Sequence, residues 1–430
     1  MPTAVGTIRG MRRLFRCILF AFAICMMMSI APPARCGETI TLEQAIGRAL
    51  EVAPALASAA ANSDLNRARV DEARAPLYPS VFGAGDYTQS PGYDQVITNR
   101  GQTLGQLVFE YTVFDGGRRN AQVRAARYAA EAAMLGVGAV QAQIVFETTV
   151  AYFDLLRARG QEQALDANLA RLGGYVKIVE ALERSGRSID NDVLRIRSAR
   201  NSTQLALANA HQAAEHASIV LASLIGGNET NDLQVAAVSD LSAPPSADLE
   251  QSPAYKAADR QIRAAKMQVA AAHDECYPTF KLGATAGWLG IDPPKTFGHH
   301  LGASYDTALS VPLFQGGLVR SHIDEALALQ HVAEAQQKQI KLELTRDLAD
   351  ANDRYANARK QLDLLEQSQS TTDDAFALTW TRFLGGGNVT ILEVIDAWQQ
   401  AQTLRLTRFD QEFAARQAAA QAALVLGIAR

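Results

Sequence analysis

Cysteine is nearly missing from the body of this chain. Three of its four cysteines fall at Cys17, Cys25 and Cys36, and beyond them stands only Cys276. A single cysteine makes no intrachain disulfide and no cysteine metal site. Positive charge is also in short supply. The first 36 residues hold five of the 41 basic residues and no acidic one, which leaves 36 basic against 45 acidic residues and a net charge of −9 in the remainder. That balance argues against nucleic acid as a partner. No unbroken apolar run of about 18 residues follows residue 36, so no transmembrane helix is expected. Neither a Gly-x-x-x-x-Gly-Lys phosphate loop nor a Gly-x-Ser-x-Gly elbow occurs, and the chain reads as a non-enzyme without a cofactor.

Residues 1–36 read as an export signal. Arg9, Arg12, Arg13 and Arg16 form a basic start, residues 17–30 an apolar core too short for a membrane span, and Ala34, Arg35 and Cys36 a cleavage region. Met11 is an alternative start. Arg35 stands where a lipoprotein signal wants a small residue. An exported chain without a membrane helix is either soluble outside the cytoplasm or an outer-membrane barrel.

The remainder repeats itself. Val113-Phe114-Asp115-Gly116-Gly117 returns as Leu313-Phe314-Gln315-Gly316-Gly317, and such an echo divides a chain into similar units. Two alanine-rich, helix-prone stretches, 54–79 and 253–278, both end in Tyr-Pro (Tyr78-Pro79 and Tyr277-Pro278). Proline ends a helix, so a change to strand is expected at each. Alternation of apolar and polar residues then predicts strands over 80–88, 104–114, 279–289 and 303–313, joined by polar loops over 90–101 and 290–300. Segments of about ten residues, apolar on one side only, are the pattern of a transmembrane barrel. Four strands cannot close a barrel, and open edges are not tolerated in lipid, so several chains must share one.

After each glycine pair comes a helical stretch. The second, 318–384, contains no glycine or proline and would extend roughly 100 Å as one helix. Leu344, Leu348, Ala351, Tyr355, Ala358, Leu362 and Leu365 form a coiled-coil seam in it. The first, 118–182, reads as interrupted by Gly136, Gly138, Gly160, Gly173 and Gly174, yet Ala142, Phe146, Thr149, Phe153 and Leu156 keep the spacing. Turns at 184–188 and 382–388 send the chain back along helices over 190–225 and 390–428. In the second of these, Leu392, Ile395, Leu406, Phe409 and Phe413 take heptad positions. Thr41 and Gln44 form a capping box for the first helix. The expected division is a signal at 1–36, a first repeat at 37–230, a surface connector at 231–252 rich in Asp, Ser and Pro, and a second repeat at 253–430.

Leu42-Glu43-Gln44-Ala45-Ile46, Ala53-Pro54-Ala55-Leu56, both Tyr-Pro pairs, both Phe-x-Gly-Gly pairs and the run from Arg382 to Glu393-Val394-Ile395-Asp396-Ala397 resemble, in order, the TolC family of outer-membrane efflux proteins. The resemblance implies an α+β membrane protein of two structural repeats. Each chain of a homotrimer would give four β-strands to a shared 12-stranded barrel in the outer membrane, and its long helices would form a coiled-coil tunnel across the periplasm. It further implies an exit duct for a tripartite efflux pump or type I secretion system, docked to a periplasmic adaptor (membrane-fusion) protein and an inner-membrane RND or ABC transporter. By position, Asp192, Glu393 and Asp396 would narrow the periplasmic mouth; three copies of a carboxylate around an axis select by charge and size. Their other reading is acids at a helix start, where they suit the dipole. Arg184, Gly186, Arg382, Phe383, Gly386 and Gly387 would lie at adaptor-facing tips. Gly116, Gly117, Gly316 and Gly317 would be the strand-to-helix joints. If Gly387 is the tip glycine, the family's aromatic slot three residues earlier holds Leu384 and Phe383 is one residue early.

Two further features stay outside this pattern. His273, Asp274, Glu275 and Cys276 are consecutive, point in different directions and answer to Arg74, Ala75, Pro76 and Leu77 in the first repeat, so a metal site is not expected. His299 and His300 fall in a predicted external loop. The alternative function is a soluble periplasmic coiled-coil scaffold.

Overall fold

The computed structural model describes residues 39–93, 101–227, 233–238, 242–291 and 301–428. The signal, most of both strand-connecting loops with His299 and His300, and part of the 231–252 connector lie outside them. Thr41 caps the first helix, α1 (Leu42–Val52), in the expected capping box with Gln44. Pro54 does not merely interrupt. It is the first residue of α2 (Pro54–Arg74), where its missing N–H costs nothing. A single 3-10 turn, Ala75–Leu77, then leads into β1 (Ser80–Gln89) and β2 (Gly101–Phe114). The long α3 (Arg118–Arg184) descends from the sheet and α4 (Asp190–Leu224) returns. The second half repeats this order with α5 (Pro253–His273), the turn Asp274–Cys276, β3 (Thr279–Ile291), β4 (Leu301–Ser310), α6 (Leu318–Leu384) and α7 (Ile391–Leu426).

Two sequence expectations are corrected here. Residues 311–313 are not strand: β4 stops at Ser310, whereas β2 continues to Phe114 because β3 lies beside it. The helix α3 is not interrupted. Its 67 residues match the 67 of α6 and pass through all five glycines. A helical glycine costs about 1 kcal/mol, and contacts of α3 with α1, α2, α4, α5 and α7 offset it. The same helix holds a stretch apolar and long enough to cross a membrane by length and composition. Scattered polar residues such as Gln141, Gln143 and Glu147 hide it from a search for an unbroken run.

The helices share two separate apolar cores. The upper one gathers Ile40, Ala45, Tyr152, Leu155, Ala217 and Leu221. There the Tyr152 hydroxyl, fully buried, donates to the carbonyls of Ile40 (3.1 Å) and Ala236 (2.8 Å) and so ties α3 to the chain start and the connector. The lower core, near the hairpin tips, joins Leu172, Val176 and Val179 of α3 to Ile196 of α4 and Val394, Ile395 and Trp398 of α7. Between the two cores the α3–α7 contact is polar: Asn168 donates to Gln402, and Arg157 and Gln161 both donate to Asp410 (3.1 and 2.8 Å). Within α6 only Ala326, Ala351 and Ala358 are buried, and the predicted seam supplies two of them. In α7 the heptad assignment fails at Leu392, which is exposed.

Gly173 and Gly174 face open space, whereas a Cβ at Gly160 would come within 2.6 Å of the Phe409 ring. The double change Gly173→Ala, Gly174→Ala therefore raises helix stability by about 1 kcal/mol per site. Gly160→Ala lowers it by about 1–3 kcal/mol through overpacking. Thermal unfolding followed by circular dichroism in detergent checks both signs.

Candidate functional site

The strands form one antiparallel sheet in the order β1-β2-β3-β4. Its register gives the sheet two different faces, although Phe82, Leu104, Val108 and Leu289 lie on the more polar one. One face carries Val81, Tyr87, Leu107, Phe109, Leu282, Ala284, Trp288, Tyr305 and Leu309, while the other carries Ser80, Asp86, Gln106, Glu110, Lys281, Thr285, Ser304 and Asp306. An apolar face backed by a polar one suits a wall between lipid and water. Both β1 and β4 are edge strands with no further partner among the described residues, and hydrocarbon cannot satisfy such an edge.

The glycine pairs sit where strand turns into helix. Gly116 and Gly117 have φ of 73° and 104°, Gly316 and Gly317 of 62° and 87°, and this left-handed backbone is open to glycine at little cost. Gly117 and Gly317 occupy the cap positions of α3 and α6 without any side chain to cap with. In the first joint Asp115 takes over. Its carboxylate accepts from the Gly117 N–H (3.3 Å), the Arg119 N–H (3.1 Å) and the Arg119 guanidinium (2.8 Å), and Arg119 also donates to the Pro76 carbonyl (2.6 Å). Asp115 is 6% exposed. Burial alone would raise its pKa, but the bonds and charge of Arg119 and the bond from Gly117 outweigh burial and hold the carboxyl below its ordinary value. The second joint has Gln315 in this place. Tyr277 presses on the first joint: a Cβ at Gly116 would lie 2.6 Å from that of Tyr277. Beside it Glu275 faces Arg118 (3.7 Å) and His322 (2.8 Å). The consecutive His273–Cys276 residues thus contribute an ionic contact across the joint. Among the described residues no group of His, Cys, Asp and Glu could hold a metal ion.

At the far ends, Gly186 and Gly386 share φ values of 72° and 74°. Arg187 N–H reaches the Leu182 carbonyl (2.9 Å), as Gly387 N–H reaches that of Arg382 (2.9 Å), so each helix ends in the same glycine-stopped turn. The turn glycine that corresponds to Gly186 is therefore Gly386, and Phe383 stands three residues before it. The extra residue of the second tip follows this glycine, because α4 starts at Asp190 and α7 at Ile391. Phe383 stacks on Trp380 (5.9 Å), which meets Tyr175 of α3 (4.4 Å). Arg187 donates to the Leu384 carbonyl (2.8 Å) and ties the two tips together. Arg184 bonds back to the Glu180 carbonyl (3.2 Å), and Arg382 is exposed.

The three acids differ. Glu393 closes a capping box with Thr390, and Asp192 accepts from the Ser188 hydroxyl (2.8 Å) at the start of α4. Asp396, one turn further on, is exposed. Sequence reasoning missed the Asp115–Arg119 pair and Ile189, the cap residue of α4, which is 63% exposed. An apolar residue at a position that favours Ser, Thr, Asp or Asn was the available signal for Ile189.

The sequence profile of a family described as outer membrane efflux protein matches residues 45–227 and 245–427. Protein CyaE of Bordetella pertussis is 31% identical over 332 residues, covering 72% of this chain and 68% of that protein. The pyoverdine export outer membrane protein OpmQ of Pseudomonas putida is 27% identical over 384 residues, covering 83% and 79%. Among solved structures, the outer membrane protein VceC of Vibrio cholerae has a TM-score of 0.78 at 20% identity, covering 90% of this chain and 96% of that one. CusC has a TM-score of 0.83 at 20% identity, covering 90% and 91%. These structural likenesses establish the fold.

Because the Asp115 carboxyl is depressed in the folded chain, its stabilisation is present above the unfolded value and lost as pH falls through the lower, folded one. Asp115→Asn is expected to cost about 2 kcal/mol near neutral pH, and the gap to the parent should close below about pH 4. Urea unfolding in detergent at several pH values measures this.

Proposed function

The chain belongs to the outer membrane efflux protein family, and from that premise we propose how it assembles and what its mouth selects. It is an outer-membrane channel with a large periplasmic part, serving tripartite efflux or secretion. The soluble scaffold is set aside on the same ground. The family consists of channels rather than enzymes.

The working unit is a homotrimer in which three four-stranded sheets close one 12-stranded barrel in outer-membrane lipid. The observation that carries this reading is the pair of open sheet edges flanking a sheet with one apolar and one polar face. Support comes from the helices, where Leu342, Leu364 and Leu378 of α6 and Leu194, Leu205 and Ile219 of α4 are exposed apolar residues. The two repeats span 37–230 and 253–430, with 231–252 as connector. Energy comes from an inner-membrane RND or ABC transporter, reached through a periplasmic adaptor that docks on the tips around Arg184, Gly186, Arg382, Phe383, Gly386 and Gly387.

At the mouth, Asp396 lines the constriction with its carboxylate. Asp192 and Glu393 lie in the first turns of α4 and α7, one turn nearer the tip, and each also caps its helix. Three copies of Asp396 around the axis make a ring that attracts cations. The expected result of Asp396→Asn is a channel with reduced cation preference and weakened block by divalent cations in planar-bilayer recordings, at unchanged folding. Unaltered selectivity and block would remove Asp396 from the constriction. Heat-modifiable trimers in outer-membrane fractions are expected for the assembly, and recovery as a monomer would overturn it.

A further inference from the structure

The connector between the repeats runs beside the chain start as one strand-like step. The Ile40 N–H donates to the Gln234 carbonyl (2.8 Å) and the Ala236 N–H to the Ile40 carbonyl (3.0 Å), which makes a parallel bridge between Ile40 and Val235. In such a bridge Gln234 and Ala236 turn their backbone groups towards Ile40, and Val235 and Ala237 turn theirs the other way. Neither Val235 nor Ala237 has a backbone hydrogen bond among the described residues. This open edge forms one wall of a cavity of about 650 Å³. Phe153, Arg157 and Arg159 of α3 and Phe409, Phe413 and Arg416 of α7 line it from the other sides.

The cavity is short of negative charge. Arg157 lies over the Phe413 ring (5.4 Å) and is paired with Asp154 (2.7 Å) and Asp410 (3.1 Å). Arg416 is less well served. Its guanidinium lies over the Phe153 ring (5.1 Å) and donates to the Val238 carbonyl (2.6 Å). Its buried Nε has no hydrogen-bond partner. Glu412 stands 3.8 Å from the guanidinium, beyond hydrogen-bond reach, and accepts instead from Arg408 (3.0 Å). Glu162, the other acid in the lining, faces His211 (2.7 Å). Arg159 has no ion pair among the described residues.

We propose that this cavity binds an extended acidic peptide segment of a periplasmic partner, which adds as a strand to the Val235–Ala237 edge and sets carboxylates against Arg416 and Arg159. Three observations select a peptide. An edge that offers N–H and C=O groups in alternation is complemented by another extended backbone and not by an anion alone. Guanidiniums without a close carboxylate favour one from outside, through charge-assisted hydrogen bonds. The Phe409 and Phe413 rings give the apolar side chains between the acids a surface to cover. Height excludes membrane lipid. Arg157 lies 39 residues along α3 from Arg118, roughly 60 Å below the joint at 1.5 Å per residue. The segment therefore comes from a partner standing beside the channel. Each chain has one connector, so a trimer would carry three such sites.

The test uses the full chain purified in detergent and a fluorescein-labelled, amidated Gly-Val-Glu-Val-Glu peptide, followed by fluorescence anisotropy. Saturable binding is expected below about 1 mM, and the same peptide with glutamine for both glutamates should bind about tenfold more weakly. Two further peptides are N-methylated, one at both valines and the other at both glutamates. Only one of them should lose binding, because successive amides of a strand face opposite edges. Arg416→Gln should weaken binding of the acidic peptide about tenfold, as should Ala237→Pro, which removes an open-edge N–H and no existing bond, and Arg159→Gln about threefold. Should Arg416→Gln fail to assemble, Arg159→Gln and Ala237→Pro decide. No saturation by the acidic peptide, equal binding of the glutamine peptide, or unchanged binding in Arg159→Gln and Ala237→Pro overturns the proposal. Loss with both N-methylated peptides, or with neither, overturns strand addition. Displacement of the peptide by equimolar inorganic phosphate, or by equimolar phosphatidylglycerol, makes this a plain anion or lipid site and likewise overturns it.

Discussion

Everything in this molecule answers to two rows of backbone groups that have no partner among the described residues. The outer edges of β1 and β4 each expose N–H and C=O groups, and in hydrocarbon each unpaired group costs several kcal/mol. A sheet with an apolar and a polar face cannot meet that constraint as a monomer.

The joints carry the second constraint. Below the membrane the chain must leave a sheet with a twofold side-chain period and enter a helix with a 3.6-residue one. Two consecutive left-handed residues make that change in each repeat, and only glycine takes both at little cost. The helix start then needs a cap that glycine does not provide. Asp115 supplies it from before the turn, together with Arg119, whose bonds and charge hold the carboxyl below its ordinary pKa.

Below the joints the helices are held by two apolar cores with a polar zone between them. Buried alanines let the helices approach closely, and Asn168 with Gln402 and Arg157 with Asp410 fix their register. At the tips the aromatic contacts of Tyr175, Trp380 and Phe383 and the bond from Arg187 to Leu384 join the two hairpins. The first hairpin therefore does not end independently of the second.

The sequence alone determined the repeat, the positions of the strands and long helices, and the glycine joints, because each depends on local periodicity or on backbone freedom at a single residue. Gly116, Gly117, Gly316 and Gly317 were legible for that reason, as was the seam through Ala351 and Ala358. Tertiary structure decided the rest. Five glycines in α3 predicted interruption, but contacts with five other helices outweighed local propensity. Residues 311–313 alternate like a strand yet are not one, because a strand needs a neighbour as well as a pattern. Of three glycines at 385–387, only the fold selected Gly386 for the left-handed turn, and so placed Phe383. Asp192 and Glu393 read as pore acids, and the fold also gave them helix starts to cap. Local chemistry fixes what a residue is able to do; which partner it meets depends on segments tens to hundreds of residues away.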